Sequence, residues 1–118
     1  MYFMDCQLDT EVIDLAFLEK QFPKIPSWWD SLGRAHCGSG CPVAQLINLA
    51  IGPDVPVEVE ENVVFIGGDW ENKDTRFPTS DGVHLLVNLI DLYHYEDERV
   101  QSSWVATKIE YIKELGFV

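Results

Sequence analysis

The 118-residue chain carries 20 acidic against 8 basic side chains, a formal net charge of -12, and 47% of it is apolar. That length and apolar share suit one globular domain with its own core and exclude a disordered tail. The charge repels nucleic acid and anionic membranes, so it excludes direct binding to either and favours a basic partner.

Four Trp, six Phe and four Tyr supply large packing units. No apolar run approaches the roughly 20 residues that span a bilayer. The opening MYFMDCQLD has neither the basic region nor the long apolar stretch of a secretory signal. Three cysteines, an odd number, argue against a disulfide scaffold and lead us to expect a reducing cytoplasm.

In chain order, Met1–Met4 reads as an edge strand or an apolar arm. Asp9 reads as an N-cap for a helix over 10–22, with Val12, Leu15, Ala16, Leu18 and Phe22 on its buried face and Pro23 ending it. Ser27 caps a short second helix, Trp28 to Leu32. Its adjacent tryptophans point about 100° apart, so one is expected in the core and the other at the surface. Pro42, at a first helical position, starts a third helix in which Val43, Leu46, Ile47, Ala50 and Ile51 share a face before Gly52. As the most apolar helix, it is expected at the centre.

The period then changes. Val57 and Val59 alternate with Glu58 and Glu60, and Val63–Ile66 follows, predicting a hairpin with strands near 56–60 and 63–67 and a turn at Glu60-Glu61-Asn62. Asp69 to Arg76 reads as an acidic loop holding Trp70. Thr79 or Ser80 caps a helix whose inner face is Val83, Leu86, Val87, Ile90 and Tyr93. Ser102 or Ser103 caps a last helix lined by Val105, Ile109, Ile112 and Leu115 and stopped by Gly116. The expected fold is a small single α+β domain, a β-hairpin packed against four to five short helices.

Candidate chemistry is of four kinds. Cys37 and Cys41, with His36 beside them and Cys6 in reach of the fold, suggest soft metal ligands, but the spacing lacks a second pair. Cys41 precedes a helix start, where partial positive charge lowers a thiol pKa and favours a nucleophile, with His36, His84 or His94 as base. A helix cap is the preferred reading of Cys41. Carboxylate pairs among Glu58, Glu60 and Glu61 lack a defined cleft, and Asp69–Asp74 lacks the glycine and terminal Glu of a calcium loop.

The fourth kind is the charge itself. Residues 54–98 hold twelve acids against Lys73 and Arg76, nearly the whole imbalance of the chain. Glu58, Glu60, Glu61, Asp69, Glu71, Asp74, Glu96, Asp97 and Glu98, on a rigid frame, are expected to imitate the phosphates of a nucleic acid and to occupy a basic groove. Trp70, Tyr93 and Tyr95 are the expected anchors among them.

The run Cys41-Pro-Val-Ala, the hairpin and the apolar helix from Val83 to Tyr93 resemble small accessory proteins of bacteriophages and prophages. In overall type the chain is similar to the acidic anti-CRISPR inhibitors among them. The resemblance spans roughly residues 37–95 and carries over no site residue. It implies a non-enzymatic inhibitor acting in the host cytoplasm on a basic protein or nucleic-acid-handling complex. No residue is assigned as catalytic or metal-ligating and no cofactor is implied. The alternatives are a thiol- or zinc-dependent enzyme centred on Cys37 and Cys41, or a phage structural or regulatory protein that binds through an exposed Trp28 or Trp29.

Overall fold

A computed structural model of the chain describes residues 11–60, 62–67 and 76–118. The arm at 1–4, Cys6, the Asp9 cap and the site residues Glu61, Asp69, Trp70, Glu71 and Asp74 lie outside them.

The architecture is α+β: among the described residues, a three-stranded antiparallel sheet with four α-helices. Helix α1, Leu15–Glu19, is far shorter than the expected 10–22. Its N-cap is Asp14, whose carboxylate accepts from the Phe17 N–H at 2.9 Å. The chain then tightens into a 3-10 turn, Phe22–Lys24, because Pro23 has no N–H to continue an α-helix. The expected helix over 28–32 is absent; a turn at Trp28 runs into bends and irregular backbone. Trp28 is 79% exposed there, while Trp29 packs on the core edge-on to it.

Helix α2, Pro42–Ile51, is central as its apolar face requires, packing on β1 and α1 with Val43, Ala44, Leu46 and Ile47 buried. Gly52 ends it at positive φ. The Asn48 amide then donates to the Gly52 and Val55 carbonyls, fixing the path into the sheet.

Strands β1 (Val57–Val59) and β2 (Val63–Ile66) form the expected hairpin, with Val57 opposite Ile66 and Val59 opposite Val64 on the buried face. A third strand, β3 (Arg76–Pro78), pairs with β2 where the sequence reads as loop and helix cap. Its three residues show no alternation to read, and Pro78 restricts it to an edge. That edge is extended by Ile13, which donates to the Pro78 carbonyl and accepts from the Ser80 N–H, both at 2.9 Å.

Helices α3, Asp81–Tyr93, and α4, Ser102–Glu114, pack on each other, and α4 also meets α1. Ser80 caps α3 through the Val83 N–H. Of the expected inner face, Val83, Leu86 and Ile90 are buried; Tyr93, one turn too far along, is 63% exposed. Gln101 is the N-cap of α4 and makes no side-chain cap bond. Its end is a Schellman turn: Phe117 N–H to Ile112 O, Gly116 N–H to Lys113 O, and Gly116 at positive φ. Leu115 at this end is exposed, not in the core. Among the described residues no helix is long and apolar enough to cross a membrane.

The segment 32–41 ties these layers together. Gly33, at φ +129°, lets the chain fold so closely on itself that a β-carbon would run into the Gly40 carbonyl oxygen. Both the backbone conformation and the obstructing backbone atom resist relief. Gly33→Ala is expected to lower stability by about 2–4 kcal/mol, a severe loss of the strain class, measured by urea unfolding.

Candidate functional site

The loop closed by Gly33 and Gly40 is a hub for backbone bonds. Arg34 N–H donates to Gly40 O at 2.9 Å across its neck. On one rim, residues 32–35 run antiparallel to 97–100: Leu32 N–H to Val100 O, Val100 N–H to Gly33 O, Ala35 N–H to Glu98 O and Asp97 N–H to Ala35 O, at 2.7–3.2 Å. On the other rim, Val59 of β1 donates to Gly38 O at 2.8 Å. Ala35 and Gly38 are three residues apart, so at most about 11 Å of chain separates the two attachments.

Two acidic segments distant in sequence are thereby drawn to one loop. Glu58 and Glu60 are exposed on β1 and just beyond it, and Glu96 and Asp97 are exposed in the turn after α3. The Glu58 side chain lies against Gly38, where an added β-carbon would stand 3.3 Å from its Cγ. Glu98 belongs to the same turn but has a structural task, since its Oε1 accepts from the Tyr95 N–H at 2.7 Å. Arg34 and Arg99 sit opposite each other in the paired rim, and Arg99 is ion-paired with Asp30 at 3.2 Å. Both partners are largely exposed, so that pair contributes little to stability.

Asp91 of α3 escaped the sequence reading as a site residue. Its Oδ1 accepts from the His36 N–H at 3.1 Å, and His36 Nε2 donates to the His94 carbonyl at 3.0 Å. His36 stands at φ +60°, a conformation that side chains seldom adopt, and these two bonds hold it there. His94 donates through Nδ1 to Ile90 O and meets the Trp104 ring edge-on at 4.6 Å. A readable sign existed: His84, Asn88 and Asp91 recur at helical spacing among the apolar residues that follow the first turn of α3.

His36, Cys37, Cys41, Glu60, Asn88 and Asp91 line a cleft of about 420 Å³ with Val59 and Val87 as apolar walls. Both cysteines are free thiols. Cys41 is only 8% exposed, and burial pushes its thiol from 9.0 up to about 11, opposing the nearby Ala44 and Val43 N–H groups at the start of α2. The helix start does not activate this thiol; desolvation outweighs it. Among the described residues no three His, Cys, Asp or Glu side chains converge to hold a metal ion.

No family model, curated protein or solved structure matches the chain.

The hydrogen bond to the His94 carbonyl, helped by the Asp91 and Glu96 carboxylates, raises the His36 pKa above 6.5. The charged clasp therefore contributes fully below pH 6.5 and weakens as pH climbs through the folded value. An NMR titration should place His36 above 6.5, and Asp91→Asn should move it back down. Cys41 has the same sign at higher pH. The folded state keeps its thiol proton, so stability holds below pH 9 and falls between about 9 and about 11, by on the order of 2–3 kcal/mol. Cys41→Ser, which does not titrate there, should remove that alkaline loss in chemical unfolding across this range. At neutral pH an alkylating reagent should modify Cys37 well before Cys41.

Proposed function

We propose that this protein is a non-enzymatic acidic binding protein that covers a basic nucleic-acid-binding surface of a partner protein and blocks it, in the manner of the acidic anti-CRISPR inhibitors. The observation that carries this reading is the double attachment of the 33–41 loop, which sets Glu58 and Glu60 on one side and Glu96 and Asp97 on the other. Carboxylates placed by backbone pairing are preorganised, so little ordering cost falls on binding. Arg or Lys of a phosphate-binding groove would meet them with charge-assisted bonds. Exposed Tyr95, beside Glu96, supplies an aromatic contact to the same side.

A second reading, a thiol-dependent enzyme, is favoured by one observation: His36, Cys37 and Cys41 share a cleft. It would rest on Cys37, since Cys41 is buried and protonated at neutral pH.

The test is capture of a partner from host lysate, followed by affinity measurements on the purified pair. The partner should bind nucleic acid and be released by duplex DNA. Raising salt from about 0.1 M to about 0.5 M, which shortens the screening length below the 10 Å range, should weaken the complex roughly tenfold or more. Reversal of Glu58, Glu60, Glu96 and Asp97 to Lys should weaken it on the order of tenfold, against about twofold for Glu110 and Glu114 on α4. Affinity indifferent to salt and to DNA would sink the proposal.

A further inference from the structure

Lys108, on α4, has its ammonium over three ring faces. It lies 5.4 Å from the Trp104 centroid, 5.7 Å from Tyr93 and 5.9 Å from Tyr111. Trp104 and Tyr111 are its neighbours one turn back and one turn forward on α4, and Tyr93 reaches across from the last turn of α3. A cation within about 6 Å of a ring centroid is attracted by the ring quadrupole. In a chain with 20 acids, this ammonium is matched to three rings and, among the described residues, is ion-paired with no carboxylate.

The rings are placed for this. Trp104 is half-buried and buttressed by His94, whose own ring is fixed to the Ile90 carbonyl. Tyr93 and Tyr111 are 63% and 51% exposed, so the cluster is reachable from solvent. Tyr93 is followed within three and four residues by Glu96 and Asp97 of the acidic rim.

We propose that Tyr93, Trp104 and Tyr111 form a cation-binding aromatic site, self-occupied by Lys108, that receives a methylated lysine side chain of the basic partner in Lys108's place. The partner's being basic rests on the function proposed above. The resident ammonium shows the chemistry that the three rings hold, a single positive charge at 5.4–5.9 Å from each centroid. A primary ammonium is strongly hydrated and gives up much to sit on rings. Methylation keeps the charge while removing N–H donors, so a methylated ammonium loses less water and gains the same ring faces. Lys108 is tethered beside the rings and competes as an internal ligand. It holds the site closed to weak cations.

The experiment follows the Trp104 indole N–H by NMR, assigned with Trp104→Phe, in the full chain and in Lys108→Ala. Titrated with tetramethylammonium, Lys108→Ala should show a saturable shift with a Kd about threefold below that of the wild-type protein, reflecting loss of an internal competitor held by exposed cation–π contacts. Adding Tyr111→Ala, an exposed position that the fold tolerates, should abolish it. A basic peptide carrying one trimethyllysine should then bind Lys108→Ala at least threefold tighter than the same peptide with plain lysine. No saturable shift, equal shifts with and without Lys108, or equal affinity for the two peptides would each overturn the proposal. If the methyl preference holds while reversal of Glu96 and Asp97 changes nothing, the aromatic site stands and the acidic-surface reading falls.

Discussion

The close approach of Gly33 to the Gly40 carbonyl is the constraint on which the rest of the molecule depends. It closes the loop at its neck through the Arg34 N–H and leaves both rims with backbone groups aimed outward. Those groups are then satisfied by elements from both halves of the chain, by 97–100 on one rim and by Val59 on the other. The inner side of the same segment supplies Leu32, Ala35 and Cys41 to the core, and Pro42 begins the central helix at once. A shift of this loop would act on the sheet, the turn after α3 and α2 together, because at most three residues separate one of these tasks from the next.

The charge of -12 becomes more informative once the carboxylates are divided by what they do. Asp14 and Glu98 accept backbone N–H bonds within their own turns, and Asp91 holds His36. Glu19 binds Lys113 and ties α1 to α4; Asp30 binds Arg99. Glu58, Glu60, Glu96 and Asp97 show no such bond among the described residues, and they are the ones set around the hub loop. Self-repulsion among them costs the folded state something that solvent and salt only partly screen. A basic partner would remove that cost, which is the physical sense in which the surface is complementary to one.

Long-period signals in the chain were legible and short contacts were not. The Pro42 start, the apolar face of α2 and the Gly52 stop needed only helix chemistry, and the Val57–Glu60 alternation followed by the apolar run Val63–Ile66 marked the two hairpin strands. Strand β3 was illegible because three residues carry no period, and the Ile13 pairing that supports it is a tertiary event. The helix expected over 10–22 starts only at Leu15 because Ile13 is taken up by pairing with the β3 edge and Asp14 caps the chain behind it, and Pro23 then tightens the chain. Of the site, the exposed acids Glu58, Glu60, Glu96 and Asp97 were named from charge density alone. Their meeting at one loop was not, since it depends on Ala35 and Gly38 bonding to partners more than twenty residues away. Glu98, read as surface charge, is exposed and also has a local task, its Oε1 accepting from the Tyr95 N–H.

The two cysteines show how position in a fold decides between opposed effects. A thiol at the start of a helix is favoured as thiolate by about 0.3–1 kcal/mol of dipole interaction when exposed. Burial charges the thiolate several times that amount when water cannot reach it. Cys41, 8% exposed beneath the hub loop, falls on the burial side, and its pKa near 11 is the outcome. Its place is explained by packing against the core, where a small, weakly polar side chain seals the junction of loop and helix. Any chemistry in the cleft is thus left to Cys37, whose sulfur lies over Gly40 at a position where a β-carbon would stand 3.0 Å away. Gly40 leaves room for that sulfur, and Gly38 leaves room for the Glu58 side chain and the Val59 carbonyl on the other rim.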